Sequence, residues 1–448
     1  GGRARLAAAA DADLWPAVAA PLSQLRGALD GLAPTTAAAS RAAGLAPAML
    51  GADGPRTYLV LVQNTAEPRA TGGIPGAVLL LGADDGAVRV LDQRAGGDLG
   101  NLDAPVLPLT DAERRLFGDD LGADLRDVTF TPHFPRAAEL ARAIWGQGVG
   151  GEVDGVLSVD PAALEPLLRA TGPVELPPGP VADAEGGRLT AENAVRVLLS
   201  TVYLEVGDPA EQDAFFVETA GRVFAAVLEG MRDPRGLLAA AARDGSPGRV
   251  LLWSAHPEEQ RLLSGTALAG EVRGASGGGA DGTAATAGAD APGPVVGVYL
   301  NDGSRAKTGF YESLAVDVGP RTCRVDGTAT VTVRATLASH VPAGAAGLPA
   351  YVVGDLLTPG HVRTNVLLYA PTGGRVEEVS VGAGVPGVLS ATHEGLAVVA
   401  RTVELAPGEA VTVEAELSFP AALAGPLVVA STPLAQPLAL SGDLRGGC

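Results

Sequence analysis

The sequence predicts an α/β layered domain followed by an all-β, sandwich-like domain, and three observations predict it. Between 55 and 272, short apolar runs of strand length alternate with stretches of helical spacing, as layered α/β domains require. From 295 onward the apolar residues recur with period two, as in GTATVTVRATLAS and AVTVEAELSF. Turn signals DVGP, PTGG and APGE separate those runs, which suits a sandwich of about 150 residues. Between the two patterns lies RGASGGGADGTAATAGADAPGP, 273–294, whose composition reads as a flexible linker or mobile loop.

The elements follow in order. Residues 1–54 form a helical segment, with Leu22, Leu25, Leu29 and Leu32 at steps of three and four between Pro16 and Pro34. Apolar runs at 58–62 and 77–81 read as buried strands. The stretch between them holds Gln63, Asn64, Glu67, Arg69, Thr71, Gly72 and Gly73 and reads as a polar loop at the mouth of two strands, where function commonly sits. A second long loop, 95–107, carries Asp98, Asn101 and Asp103. Residues 127–130 read as a strand and 136–145 as a helix with Ala137, Leu140, Ala141 and Ile144 on one face. A strand at 153–159 leads to Asp160, an N-cap followed by Pro161, and a helix at 163–170 closed by Gly172. Thr190 opens a helix in LTAENAVRVLLSTVY, and a longer helix spans 209–232.

Composition narrows the function. The chain has 448 residues, room for two or three domains, and its 47% hydrophobic content is that of a globular protein. A net charge of −19 excludes nucleic acid as a partner, since that affinity comes from neutralising phosphates. A neutral polysaccharide fits better than a polyanion. Lys307 is the only lysine in a chain whose other cations are arginines, a bias typical of GC-rich bacterial coding. A compact ammonium retained there points to a constraint that a guanidinium does not meet. The five histidines are dispersed and no CxxC occurs, so the sequence predicts no metal site and no cofactor. Cys323 and Cys448 are the two cysteines, free to pair in an oxidising compartment or to remain apart. No apolar segment is long enough to span a bilayer. The opening GGRARL reads as a cut end, so the expected membrane link is a missing N-terminal anchor on an extracytoplasmic domain.

The segments QNTAEPRATGG, FTPHFP, VDGVLSVDPAAL, LTAENAV, DPAEQDAFF, LLWSAHPEEQ and VYLNDGSRAKTGFY occur in that order. With them the chain resembles a bacterial family catalogued as a domain of unknown function, number four thousand and twelve. Where that family's turn carries Asp, this chain has His133. The resemblance implies an envelope protein behind an N-terminal anchor. LVLVQNTAEPRATGG, DGVLSVDPAALEPLLRATGPVEL and LTAENAVRVLLSTVY also make the chain distantly similar to the LytR-CpsA-Psr cell-wall enzymes. That likeness implies a mixed sheet and, as activity, transfer of a polyprenyl-pyrophosphate glycan to the wall. Such chemistry needs clustered arginines. Here the 199–203 stretch LSTVY stands where an arginine pair is expected, and only Arg69 matches.

Acids remain where those arginines are missing: Glu67, Asp98, Asp127 and Glu205 are the catalytic candidates. Two carboxylates across a cleft, one with a raised pKa, perform glycoside cleavage. Gln63, Asn64, Arg69, Thr71, Gly73, Tyr203, Asn301, Asp302 and Lys307 are the substrate-binding candidates. The expectation is a glycoside hydrolase or transglycosylase whose partner is a neutral cell-wall polysaccharide, arabinofuranose-rich polymers such as the D-arabinan of arabinogalactan being one class. The alternatives are the phosphotransferase just described and a non-catalytic module that binds glycan or protein. Asp160 and Asp208 read as helix caps, and Trp145 and Trp253 as core.

Overall fold

The computed structural model describes residues 44–230, 248–274, 293–342, 349–382, 387–423 and 425–448. The leucine pattern at 22–32, the linker at 275–292 and the last residues expected in the 209–232 helix lie outside the described residues. Contacts divide the chain into a small unit, Gly1–Arg56 with Ala83–Val88, and a large one, Thr57–Gly82 with Arg89–Cys448. In the small unit the Leu50 carbonyl accepts from Gly86 N–H at 2.8 Å, tying a short helix end to a turn.

The α/β part is built on a five-stranded sheet of order β3-β2-β1-β4-β7. Its strands are β1 (Arg56–Arg69), β2 (Gly72–Asp84), β3 (Ala87–Ala95), β4 (Gly155–Val159) and β7 (Val250–Ser254); β5 (Val174–Glu175) and β6 (Arg188–Leu189) form a separate pair. The sheet is mixed. β1 runs parallel to β4, with Tyr58 opposite Gly155 and Val62 opposite Val159, while β4 is antiparallel to β7. The helix Phe134–Gly148 lays Ala137, Leu140, Ala141, Ile144 and Trp145 against Leu59, Leu61 and Val156, as its 3.6-residue spacing requires.

Beyond 294 the chain is a β-sandwich. One sheet has the order β13-β16-β11-β9-β18, from β9 (Glu312–Val318), β11 (Thr328–Ser339), β13 (Arg375–Val381), β16 (Ala410–Pro420) and β18 (Ala439–Gly442), with β10 (Thr322–Cys323) paired to β11. The other has the order β14-β15-β12-β8-β17, from β8 (Val295–Asp302), β12 (Val362–Tyr369), β14 (Leu389–His393), β15 (Leu396–Leu405) and β17 (Val428–Ser431). Alternate residues Val331, Val333, Ala335 and Leu337 of β11 share a core with Val296, Val298 and Leu300 of β8. The opposite face of that second sheet is buried too. Tyr299, Leu367, Tyr369, Val398 and Ala400 join the apolar cluster that holds Trp145 and Trp253. Double burial explains why every residue of β8 is buried and why its sequence, VVGVYLND, lacks period-two polarity. Cys323 and Cys448 form a disulfide across 125 residues.

Three sequence expectations are corrected. The polar stretch after 62 is strand: β1 continues to Arg69 and β2 starts at Gly72, leaving Ala70 and Thr71 as the turn. Its polar residues stay in the strand because buried partners take up most of their polar atoms, Gln63 Nε2 and Arg69 Nε having none among the described residues. Residues 127–130 belong to a 3-10 helix, Leu125–Phe130, which Asp124 starts by accepting from Arg126 N–H at 2.9 Å. The helix after Thr190 is not continuous: α turns at Ala194–Arg196 and Val202–Glu205 flank a π turn, Val197–Thr201. Its cap is completed by Asn193, whose Oδ1 accepts from Thr190 N–H at 2.7 Å.

Candidate functional site

β1 starts apolar and ends polar, and the polar end is buried. Gln63, Asn64, Thr65, Glu67, Arg69 and Thr71 are each less than a tenth exposed. Polar side chains survive such burial only when paired, so their partners define the site.

Glu67 is ion-paired with Lys307, which enters from the segment after β8. Lys307 also lies over the Tyr203 ring, 5.8 Å from its centroid, and the Tyr203 hydroxyl accepts a hydrogen bond from Asn64 Nδ2. Burial pushes the Lys307 ammonium down to about 8. The π turn carries Ser200, whose Oγ lies 3.0 Å from the Tyr311 hydroxyl. π turns are frequent at functional sites.

Arg69 is the second centre. Its guanidinium stacks on Phe130 at 4.4 Å, donates to Asp127 Oδ1 at 3.3 Å and approaches Asp302 Oδ2 at 3.9 Å. Burial raises both carboxyls above their ordinary value, and Arg69 opposes the rise in each. Asp302 also accepts from Arg305 N–H at 3.0 Å and from Ser304. Asn301 Oδ1 accepts from Ala70 N–H at 2.8 Å, and its Nδ2 donates to the Phe130 carbonyl at 3.0 Å. Thr432 adds a donor to the Ala70 carbonyl at 3.2 Å. The turn between β1 and β2 is thus held from both the α/β part and the sandwich.

The glycines permit the strands to close. A Cβ on Gly73 would sit 2.2 Å from the Asn64 carbonyl oxygen, inside any allowed contact. Gly73 N–H donates to Gln63 Oε1 at 3.2 Å, and its carbonyl accepts from Thr129 Oγ1 at 3.0 Å. Thr71 donates from its hydroxyl to the Thr129 carbonyl at 3.3 Å.

The structure therefore gathers Gln63, Asn64, Glu67, Arg69, Thr71, Gly73, Asp127, Tyr203, Asn301, Asp302 and Lys307 around one end of β1. It places two candidates differently. Asp98 is exposed and accepts from Ala95 N–H at 3.2 Å as part of a 3-10 cap. Glu205 is exposed at the end of its short helix. Glu312 belongs to the site's surroundings and was not anticipated. Burial pushes its carboxyl up to about 7, opposed by the Thr364 hydroxyl at 2.8 Å and reinforced by Asp302. The signal was present: in ESLAVDV, Glu312 occupies the inward position of a period-two strand with Leu314, Val316 and Val318. Among the described residues, no group of three or more His, Cys, Asp or Glu side chains is placed to hold a metal ion.

Residues 53–203 match the family model described as Protein of unknown function (DUF4012). The match takes in the polar end of β1, Asp127 and Tyr203; Asn301, Asp302 and Lys307 lie beyond it. Compared with curated proteins, the chain matches none. Among solved structures it is similar to protein gbs0355 from Streptococcus agalactiae, at 14% identity over 48% of this chain and 73% of that one, with a TM-score of 0.31. It is also similar to a LytR-Csp2A-Psr enzyme from Actinomyces oris, at 17% identity over 48% and 75% of the two chains, with a TM-score of 0.30. Likenesses this low transfer no residue roles, and the site stands on its own geometry.

Proposed function

We propose, from the premise that residues 53–203 match that family, that the chain is an extracytoplasmic envelope protein acting on a neutral glycan by carboxylate chemistry. The observation that carries the reading is the pair of acids gathered at the polar end of β1, Glu67 on Lys307 and Asp127 on Arg69. Glu67 is ion-paired with the Lys307 ammonium, a setting that holds a carboxylate in place as a base or nucleophile requires. Asp127 has its pKa raised by burial yet keeps its side chain 20% exposed, as a proton donor needs. Two carboxyls in such different surroundings suit the separate acid and base roles of glycoside cleavage or transfer. Lys307 links Glu67 to Tyr203 and Asn64 in one polar network. The disulfide supports the compartment, since such bonds persist where the surroundings are oxidising. Arabinofuranose-rich wall polymers are the first substrates to try. Mass analysis of products from a panel of envelope polysaccharides tests the reading; no product with any of them would overturn it.

One observation favours a second reading, a non-catalytic module binding glycan or protein. Glu67 and Arg69 are each only 6% exposed, and both are already paired. In that case the network is a strut between the α/β part and the sandwich.

A further inference from the structure

An open cleft of about 420 Å³, sharing no lining residue with the Glu67 network, lies in the loop after β3. Its size falls within the range of ligand sites, roughly 300–1,000 Å³. Asn101, Asp103 and Gln147 line it, with Leu102, Pro105 and Val106 as its apolar wall. The loop is fixed in shape. Leu102 N–H donates to the Ala123 carbonyl at 3.0 Å and Val106 N–H to the Gly122 carbonyl at 2.9 Å. Gly122 leaves room for this: a Cβ there would meet Pro105 at 2.8 Å. Asn101 holds a left-handed conformation, φ 60°, which turns the chain into the cleft. Gln147 comes from the last turn of the helix Phe134–Gly148, so the two walls belong to different elements.

The three polar side chains are exposed. Two are amides, each able to donate and accept, and the third is a carboxylate that only accepts. A wall of this kind matches a ligand whose groups both donate and accept, namely hydroxyls, while the apolar side chains suit the C–H faces of a ring. Among the described residues no cation lines the cleft, and Asp103 repels anions. We propose that this cleft is a saccharide subsite for an uncharged, hydroxyl-rich ligand, distinct from the reacting centre placed around Glu67. The inference extends the functional reading to a second place on the chain, and it holds whether or not Glu67 performs chemistry.

The test is calorimetric titration of the full chain with neutral arabino-, galacto- and gluco-oligosaccharides and with an oligogalacturonate. The variants are the double substitution Asn101→Gly with Gln147→Ala, and Glu67→Gln. Glycine keeps the left-handed conformation at 101, and both substituted side chains are exposed, so folding is preserved and is checked by thermal melting. The expected result is binding of at least one neutral oligosaccharide, at least tenfold weaker in the double variant, and weaker still for the oligogalacturonate. Undiminished binding in the double variant, preference for the uronate, or no neutral saccharide bound by the unaltered chain would each overturn the subsite. Loss of cleavage in Glu67→Gln with intact binding would leave the subsite standing. Loss of binding in the double variant from a chain that cleaves nothing would support the subsite and remove the enzyme.

Discussion

The only lysine of the chain, Lys307, pairs with Glu67 although 240 residues separate them. A strand of the α/β sheet and the segment leaving β8 thus meet through two opposite charges in a mostly buried setting. Removing one partner leaves the other charge without compensation. Lys307→Met is expected to destabilise the protein by about 2 kcal/mol, below the fully buried range because the ammonium keeps some exposure. Adding Glu67→Gln to that variant should restore part of the loss. A double-mutant cycle from urea unfolding measures the coupling, and additive single effects would show that the pair contributes nothing.

Glu312 makes stability depend on pH. Its carboxyl is pushed up to about 7 by burial, against about 4.5 in the unfolded chain. The folded state therefore binds this proton more tightly, so stability is fully present below about 4.5 and is lost as pH rises through 7. Glu312→Gln keeps an acceptor for Thr364 and removes the ionisation. It should raise stability at pH 8 by about 3 kcal/mol and have little effect at pH 4.5. Melting temperatures at the two pH values decide; an equal shift at both would contradict the burial argument.

Two buried histidines, His133 and His393, give the opposite slope. His393 accepts or donates through Nδ1 at 2.9 Å from the Tyr369 hydroxyl, and its Nε2 is buried without a hydrogen-bond partner among the described residues. His133 accepts from Val272 N–H at 3.3 Å and faces Glu394 at 4.0 Å. Burial lowers both pKa values, opposed by Glu394 and Glu113 for His393 and by Glu271, Glu139 and Glu113 for His133. Below about 6.5 the unfolded chain takes up protons that the folded one resists, so stability falls as pH drops. In the Glu312→Gln background, melting temperature should decline from pH 7 to pH 5.5. His393→Gln should flatten the decline; an unchanged slope would remove His393 as its source.

The disulfide closes 125 residues of chain, and chain-entropy reasoning assigns such a loop about 4–5 kcal/mol. Reduction should therefore lower the melting temperature clearly, and Cys448→Ser should lower it equally under non-reducing conditions. Identical melting with and without reductant would show the bond to be dispensable.

Much of this was legible in the sequence, for physical reasons that differ by element. The helix Phe134–Gly148 and the strands of the sandwich show their periods because one face meets the core. The caps at Asp160 and Asp208 show because Ala163 N–H and Ala210 N–H need local acceptors, each met at 2.9 Å. The polar end of β1 was legible as a polar cluster but not as strand. Its partners Asn301, Lys307 and Thr432 arrive from more than two hundred residues away, and no local pattern carries that information. The same is true of Glu312, whose inward position is plain only once Leu314 and Val316 are known to face the core. Asp98 and Glu205 entered as acids near the expected cleft; burial and pairing, which separate them from Glu67 and Asp127, are tertiary quantities.

The central claim, that Glu67 and Asp127 divide base and acid work on an uncharged saccharide, is tested most directly by product mass analysis after incubation with envelope polysaccharides. The unaltered chain should release or transfer glycan fragments, while Glu67→Gln and Asp127→Asn, both folded, should slow this at least a hundredfold. Cleavage that persists undiminished in both variants, or a chain that leaves every neutral polysaccharide intact, would contradict it.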